Sequence, residues 1–321
     1  MPWLYAPPIN TVFRRREMFG DSVNERRLRR KVDAGEFVRI APGSFAPREA
    51  WWAVTPMARH AQCVWEAASR LQPGTVFSHF AASAVWEIDT LGDWPDAVDV
   101  SVARARGGRS TGGIRRHTRA VEWVDVVSWG HHFVTTPLQT ALDLAAAQPF
   151  LRGVVAADQA AWARRRGGAL VTLEQLLAGA ASYAGRGAAR ARRVADFARS
   201  GADSVRETQS RVLIARMGFP QPELQQRFTL PSGRVVYSDF WWPDQKHAGE
   251  FDGIGKYVDP ELLRGRSPRQ ALLEEKDRED ELRRVVRGFA RWRSPALDEP
   301  ALLYDILTST GLRSRLARPA S

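Results

Sequence analysis

The feature that most constrains this sequence is one acid inside an apolar run. Val235-Val236-Tyr237-Ser238-Asp239-Phe240-Trp241-Trp242 has the β-branched and aromatic content of a strand, and Asp239 interrupts it. Ser204-Val205-Arg206-Glu207 ahead of it has the capping-box pattern and predicts a helix ending at Gly218. Leu224 to Leu230, a turn at Pro231 to Arg234, and the Asp239 run predict a hairpin. Pro243 to Lys246 turns again, and His247-Ala248-Gly249-Glu250-Phe251-Asp252 reads as a third strand. A long amphipathic helix from about Pro268 to Arg287 and a strand from Gly288 to Trp292 follow. The expected order is α-β-β-β-α-β.

Glu250 and Asp252 are two residues apart and share a face of their strand. An unpartnered buried carboxylate is costly, so such groups are kept together mainly where a cation compensates them. If strands two and three pair antiparallel, Asp239 comes close to Glu250 or Asp252. That set would hold Mg²⁺ through Asp239 and Glu250, leaving its other positions to water and a phosphate oxygen. Such an ion activates water in phosphodiester hydrolysis. Glu207, at the head of its helix, is within reach of the same place. Simpler readings stand beside these: Glu207 as a helix cap, Asp252-Gly253 as a turn, and Lys276 with Asp280 as an exposed i,i+4 pair.

The chain has 321 residues, with 47 Lys+Arg against 36 Asp+Glu, for a net charge of +11. That length suggests two or three domains, and a composition break at Ser200-Gly201-Ala202-Asp203 marks one boundary. The expected division is 1–74, 75–200 and 201–321. At 44% hydrophobic, with 12 Trp and 14 Phe, the sequence can build real cores. Cys63 is the single cysteine, which excludes a disulfide framework and a Cys-based zinc site. No run is apolar enough for a membrane helix and Met1 to Pro8 lacks a secretory pattern, so the expected location is cytoplasmic. The excess charge is mostly Arg, the residue suited to bidentate phosphate contacts, which points to nucleic acid. A genome rich in Arg and Ala codons gives the same composition, so placement of the charge decides.

Ser22-Val23-Asn24-Glu25 is a second capping-box pattern, opening a helix that carries Arg26, Arg27, Arg29, Arg30 and Lys31 around Leu28 and Val32. Gly35 stops it; Glu36 to Ile40 alternates as a strand, Ala41-Pro42-Gly43 turns, and Ser44 to Ala46 returns. A basic helix followed by a hairpin is the order of winged helix-turn-helix domains, in which the helix enters the major groove of double-stranded DNA. Arg26, Arg27, Arg29, Arg30, Lys31 and Arg39 are the candidate contacts; the alternative is a solvated basic helix. Residues 75 to 200 read as mixed α/β, with a helix from Phe77 to Ile88, strands near Ala97 to Val102, Gly112 to His117 and Val124 to Val134, and helices after Thr136-Pro137. Arg186, Arg190 and Arg193 form a possible second phosphate-facing stripe or a solvated face. His131-His132 point to opposite faces of a strand, and His60, His79 and His117 lack partners at ligand spacing, which argues against a zinc site.

Two resemblances follow from these residues. Leu28-Arg29-Arg30-Lys31-Val32, Gly35 to Ile40 and Pro42 to Phe45 resemble the N-terminal winged-helix domain of AbiEi-type proteins, the antitoxin and autorepressor component of type IV toxin–antitoxin systems. Ser78 to Ala84 and Val134 to Ala145 are similar to further stretches of that type, and the segment before Ser22 departs from the family's first helix. The resemblance implies a DNA partner and a cognate nucleotidyltransferase-type toxin. Glu207, Asp239, the run Gly249 to Tyr257, the helix with Glu275 to Asp280 and the strand ending at Trp292 resemble the PD-(D/E)XK nuclease fold, in its very-short-patch-repair branch. This implies a restriction-endonuclease-like domain using Mg²⁺, with Asp239 and Glu250 as ligands, Asp252 assisting, Lys256 positioning water or stabilising charge, and Glu207 supporting. The superfamily's second motif usually ends in Lys, where this chain has Asp252, and Lys256 stands where the repair branch places a His. The expected class is α+β or α/β: an N-terminal winged helix-turn-helix, a mixed middle region and the nuclease-like domain. The alternative activity is none, with that last domain serving an antitoxin or autorepressor as scaffold or partner surface.

Overall fold

A computed structural model describes residues 2–15, 22–103, 110, 112–119, 124–253 and 268–320. The architecture is mixed α/β, in two compact units: Met1–Ala161 with Arg165–Ser200, and Trp162–Arg164 with Gly201–Ser321. The segments expected to be separate, 1–74 and 75–200, lie together in the first unit.

The first unit opens with α1 (Pro2–Tyr5), β1 (Phe13–Arg14), α2 (Ser22–Asp33), β2 (Phe37–Ala41) and β3 (Ser44–Pro47). Helix α2 stops where Gly35 takes φ +73. Gly35 N–H then bonds Val32 O at 3.0 Å and Glu36 N–H bonds Lys31 O at 2.9 Å, the paired bonds of a Schellman cap. The three strands form one sheet in the order β1-β3-β2. Helices α3 (Arg48–Ala53) and α4 (Pro56–Ala68) follow, and α4 carries Glu66, whose side chain is fully buried. Its carboxylate accepts Arg14 Nε at 2.9 Å and Nη2 at 2.8 Å, Ser44 Oγ at 2.7 Å and Gln62 Nε2 at 3.1 Å, so one satisfied anion pins β1 and β3 to α4.

Next come β4 (Val76–Phe77), α5 (His79–Val85), β5 (Val98–Ala103), β6 (Ile114–Arg119), β7 (Val126–Trp129) and β8 (His132–Thr135). They form a five-stranded sheet in the order β6-β5-β4-β8-β7. Helix α5 is shorter than Phe77 to Ile88, because Val76 and Phe77 pair with β5 and β8 instead. Helices α6 (Pro137–Ala147), α7 (Phe150–Ala160), α8 (Leu173–Ser182) and α9 (Ala188–Phe197) complete the unit. Thr136 caps α6 by accepting Gln139 N–H, with Pro137 at the first turn.

The second unit contains α10 (Val205–Arg216), β9 (Glu223–Thr229), β10 (Val235–Trp242), β11 (His247–Phe251), α11 (Pro268–Val285), β12 (Gly288–Trp292), α12 (Ser294–Asp298) and α13 (Pro300–Ser309). The sheet order is β12-β11-β10-β9, with β11 and β12 parallel and the other pairs antiparallel. A parallel pair needs a crossover, which the chain between β11 and β12, including α11, supplies. One core gathers Leu213, Ile214, Phe240, Trp242, Trp292, Leu303 and Leu307. A second gathers Leu230, Val236, Ala248, Leu282, Val286 and Phe289. The C-terminal pair α12 and α13, absent from the α-β-β-β-α-β expectation, supplies much of the first core.

Candidate functional site

The carboxylates singled out in the sequence converge in the second unit. The pairing of Phe240 with Gly249, continued by one residue, sets Asp239 across from Glu250, and Asp239 Oδ2 accepts the Phe251 N–H at 2.9 Å. A change of strand face makes this possible. Leu224 and Phe240 pack on the first core while Phe228 and Val236 pack on the second, although four residues along a regular strand keep the same face. Between them Gln225 takes φ +55, a left-handed conformation rare for a non-glycine residue. The amide of this residue bridges two acids: Nε2 donates to Glu207 Oε2 and to Asp239 Oδ1, each at 3.1 Å. Strain of this kind concentrates at functional sites. A Gln in a strand carries no sequence signal of this role.

Glu207 is buried at the head of α10, and only half of its capping box forms. Ser204 Oγ accepts Glu207 N–H at 3.1 Å, but the Glu207 carboxylate takes Asp203 N–H and Ser204 Oγ–H, each at 2.9 Å, instead of the Ser204 N–H. Burial, and then the neighbouring Asp239 charge, push its carboxyl up to about 7. Glu250 lies beside Arg291 in the parallel register, and Arg291 Nη2 bonds Oε2 at 2.8 Å. From α11, Arg278 forks onto both oxygens, Nη1 to Oε1 at 3.0 Å and Nη2 to Oε2 at 2.8 Å. Asp252, also buried, is held by Arg293 Nε at 3.0 Å and Nη2 at 2.8 Å. Its N–H bonds Trp292 O at 2.8 Å, so Asp252 continues the parallel pairing rather than standing in a free turn. Lys276 and Asp280 are exposed on α11, and Lys256 lies outside the described residues.

The site is therefore a row of four acids, each held by a hydrogen-bond donor or a guanidinium. Arg278, Arg291 and Arg293 are hidden in the sequence among many other arginines. Among the described residues no group of three or more His, Cys, Asp or Glu is placed to hold a metal ion. Asp239 and Glu250 are hard oxygen donors of the type Mg²⁺ takes, and Mg²⁺ needs only one or two carboxylates beside water and phosphate oxygens. The two carboxylates match that ion in donor type, but all four of their oxygens are already engaged, those of Asp239 by Gln225 and the Phe251 N–H and those of Glu250 by Arg278 and Arg291.

In the first unit Arg26, Arg27, Arg29 and Arg30 are exposed around buried Leu28, and Arg39 is exposed on β2. Lys31 bonds Glu36 at 3.2 Å and lies over the Phe37 ring. The second arginine stripe is partly committed elsewhere: Arg190 donates to Ala146 O and Gln148 O at the end of α6, and Arg193 covers the Phe150 ring. Distant histidines meet in the sheet, where His79, at φ +50, stacks on His117 with centroids 3.7 Å apart. His117 Nε2 lies 2.8 Å from fully buried Asp99, which also accepts the Phe80 N–H. Burial lowers His60 to about 4, so it is neutral at physiological pH. His131 is exposed in the turn that precedes β8 rather than within a strand, and His132, the first residue of β8, is buried. Among the described residues no helix is long and apolar enough to cross a membrane.

No family model matches the chain. Two uncharacterized proteins of Mycobacterium tuberculosis, from strains CDC 1551 / Oshkosh and ATCC 25618 / H37Rv, are each 36% identical to it over 91 residues. The match covers 28% of this chain and 33% of each relative, so the chain spans about a third of the length of the curated proteins it matches.

Proposed function

We propose that the protein binds double-stranded DNA and that its second unit hydrolyses DNA phosphodiesters with Mg²⁺. The observation carrying this reading is that Glu207 of α10 and Asp239 of β10 share the amide of a left-handed Gln225, while the β10–β11 register sets Asp239 across from Glu250. Mg²⁺ bound by Asp239 and Glu250 would supply Lewis-acid polarisation of a phosphoryl oxygen and a more acidic water. Glu207, with a carboxyl near 7, is suited to hold or take a proton at neutral pH. Gln225 keeps Glu207 and Asp239 at a fixed separation. For the first unit the supporting features are the exposed arginines of α2, the β2–β3 hairpin beside it and the third strand β1, an arrangement compatible with a winged helix. An AbiEi-type regulator with a nucleotidyltransferase-type toxin as partner belongs to the same proposal and rests on the sequence resemblance.

A second reading has its own observation. Glu250 and Asp252 are both neutralised by arginines, as expected of structural ion pairs in a nuclease-like scaffold that serves regulation or partner binding. Purified protein incubated with plasmid and Mg²⁺, beside Asp239→Asn and Glu250→Gln, separates the two. The nuclease reading expects cutting by the parent and loss in both variants. Cutting that survives both substitutions, or is missing from the parent, leaves the scaffold reading.

A further inference from the structure

Helix α2 presents its arginines in two sets, and Leu28 fixes which is which. Leu28 is only 7% exposed, so its direction marks the side of α2 that faces the fold. Successive residues of an α-helix are turned by about 100°. Arg27 and Arg29, one residue either way from Leu28, therefore stand on the two flanks of the helix, and Arg26 and Arg30, two residues either way, stand together on the side opposite Leu28. All four are exposed. Lys31 is turned back toward the Leu28 side, where Glu36 lies 3.2 Å from its ammonium and the Phe37 ring lies under it. Asp33 is exposed and shares the outward side with Arg26 and Arg30.

We propose that α2 reads guanines: Arg26 and Arg30 form its base-reading edge in the major groove, while Arg27 and Arg29 grip the phosphates of the two strands beside it. The inference rests on the DNA-binding reading of the first unit and uses none of the acids of the second. A helix seated in the major groove turns its outer side to the base edges and its flanks to the phosphate walls. A guanidinium meets guanine O6 and N7 through two parallel bonds, the commonest specific contact that Arg makes. Arg26 and Arg30 are four residues apart, about 6 Å along the helix axis, which with the axis along the groove is close to two base-pair steps of about 3.4 Å. The preferred site then holds two G·C pairs separated by one base pair. Asp33 supports the same division of roles. On the outward side its carboxylate would repel a phosphate, whereas base edges offer it the amino group of cytosine.

The test uses the full chain with a randomised duplex library in EDTA, so that no metal-dependent cutting intervenes. The parent should enrich two G·C pairs separated by one base pair. Arg26→Ala and Arg30→Ala should each lose roughly ten- to a hundredfold discrimination at one of those pairs, with the log–log salt slope of binding unchanged. Arg27→Ala and Arg29→Ala should each lower that slope by about one and keep the preference. Lysine separates the fork from the charge: Arg26→Lys should lose the guanine preference, while Arg27→Lys should keep both preference and slope. Each variant should keep the parent's far-ultraviolet circular dichroism; one that unfolds shows its arginine to be a fixture of the fold and overturns its assignment. The division of roles is also overturned if the parent enriches no such pair, if Arg26→Ala and Arg30→Ala lower the slope and spare the preference, or if all four alanine variants bind as the parent does. Those outcomes leave DNA binding itself standing. If the parent shows no salt-dependent binding to any duplex, the DNA-binding reading fails and the guanine assignment with it.

Discussion

Glu207 and Asp239 share one amide: Gln225 Nε2 stands 3.1 Å from an oxygen of each. Burial is the larger influence on Glu207 and the Asp239 charge beside it adds to the effect, so its carboxyl rises from an ordinary 4.5 to about 7. Between those values the folded chain keeps a proton that the unfolded chain has released. Stability is then highest below about pH 4.5 as far as this group is concerned, falls as pH rises, and is lower by about 3 kcal/mol above pH 7. Glu207→Gln should flatten that slope, and Asp239→Asn should reduce it by removing the neighbouring charge. Urea midpoints from pH 5 to 8 check both; equal slopes in the parent and in Glu207→Gln would contradict the assignment.

Glu66 predicts the opposite sign. Burial alone would raise its carboxyl, but the bonds from Arg14, Ser44 and Gln62 prevail and hold it below the ordinary range. Its stabilisation is present above the ordinary carboxyl value and is lost as pH falls through the lowered one. Glu66→Gln takes away the anion that the Arg14 guanidinium bonds at two points and should cost about 3 kcal/mol near neutral pH. Thermal unfolding at pH 7 and pH 3 should show a large deficit at the first and a smaller one at the second.

Gly249 precedes Glu250 in β11 and is required by packing. A Cβ there would lie 2.9 Å from the Trp292 ring and 3.1 Å from Trp242, both buried at the centre of the first core. Neither ring has room to retreat in a close-packed interior. Gly249→Ala should destabilise the second unit by about 1–3 kcal/mol, with a change in tryptophan near-ultraviolet circular dichroism. The first unit, which does not contain these rings, should keep its own stability.

Much of this architecture is legible in the amino-acid sequence, for reasons that differ by element. The β9–β10 hairpin is readable because Pro231, Gly233 and the β-branched runs are local signals. The conjunction of Asp239 with Glu250 follows from the short turn at Pro243 to Lys246, which leaves antiparallel pairing as the simple option. Gln225 is illegible, because a left-handed residue inside a strand is imposed by the two cores it separates. The guanidiniums on Glu250 are illegible for another reason: Arg291 is 41 residues away and Arg278 is 28, and partner choice among many arginines is a tertiary property. The His79–His117 stack is hidden in the same way, since it joins α5 to β6 across the sheet.

The arginines of the first unit give a last prediction, in which two sets of like residues should behave differently. Arg26, Arg27, Arg29 and Arg30 are exposed around α2, while Arg190 is bonded to the carbonyls that end α6. If α2 docks on DNA, each of its arginines that meets a phosphate releases about one counterion, and its removal lowers the log–log salt slope of binding by about one. Replacing all four with Ala should therefore weaken duplex binding strongly at low salt and weakly at high salt, with little effect on stability beyond helix propensity. Arg190→Ala should instead lower stability by about 1 kcal/mol, through the unsatisfied α6 carbonyls, and leave the salt slope alone. Fluorescence anisotropy titrations of a labelled duplex at several salt concentrations, beside denaturant midpoints for each variant, distinguish the sets. An unchanged slope in the fourfold variant would make α2 a solvated helix and place the DNA surface elsewhere.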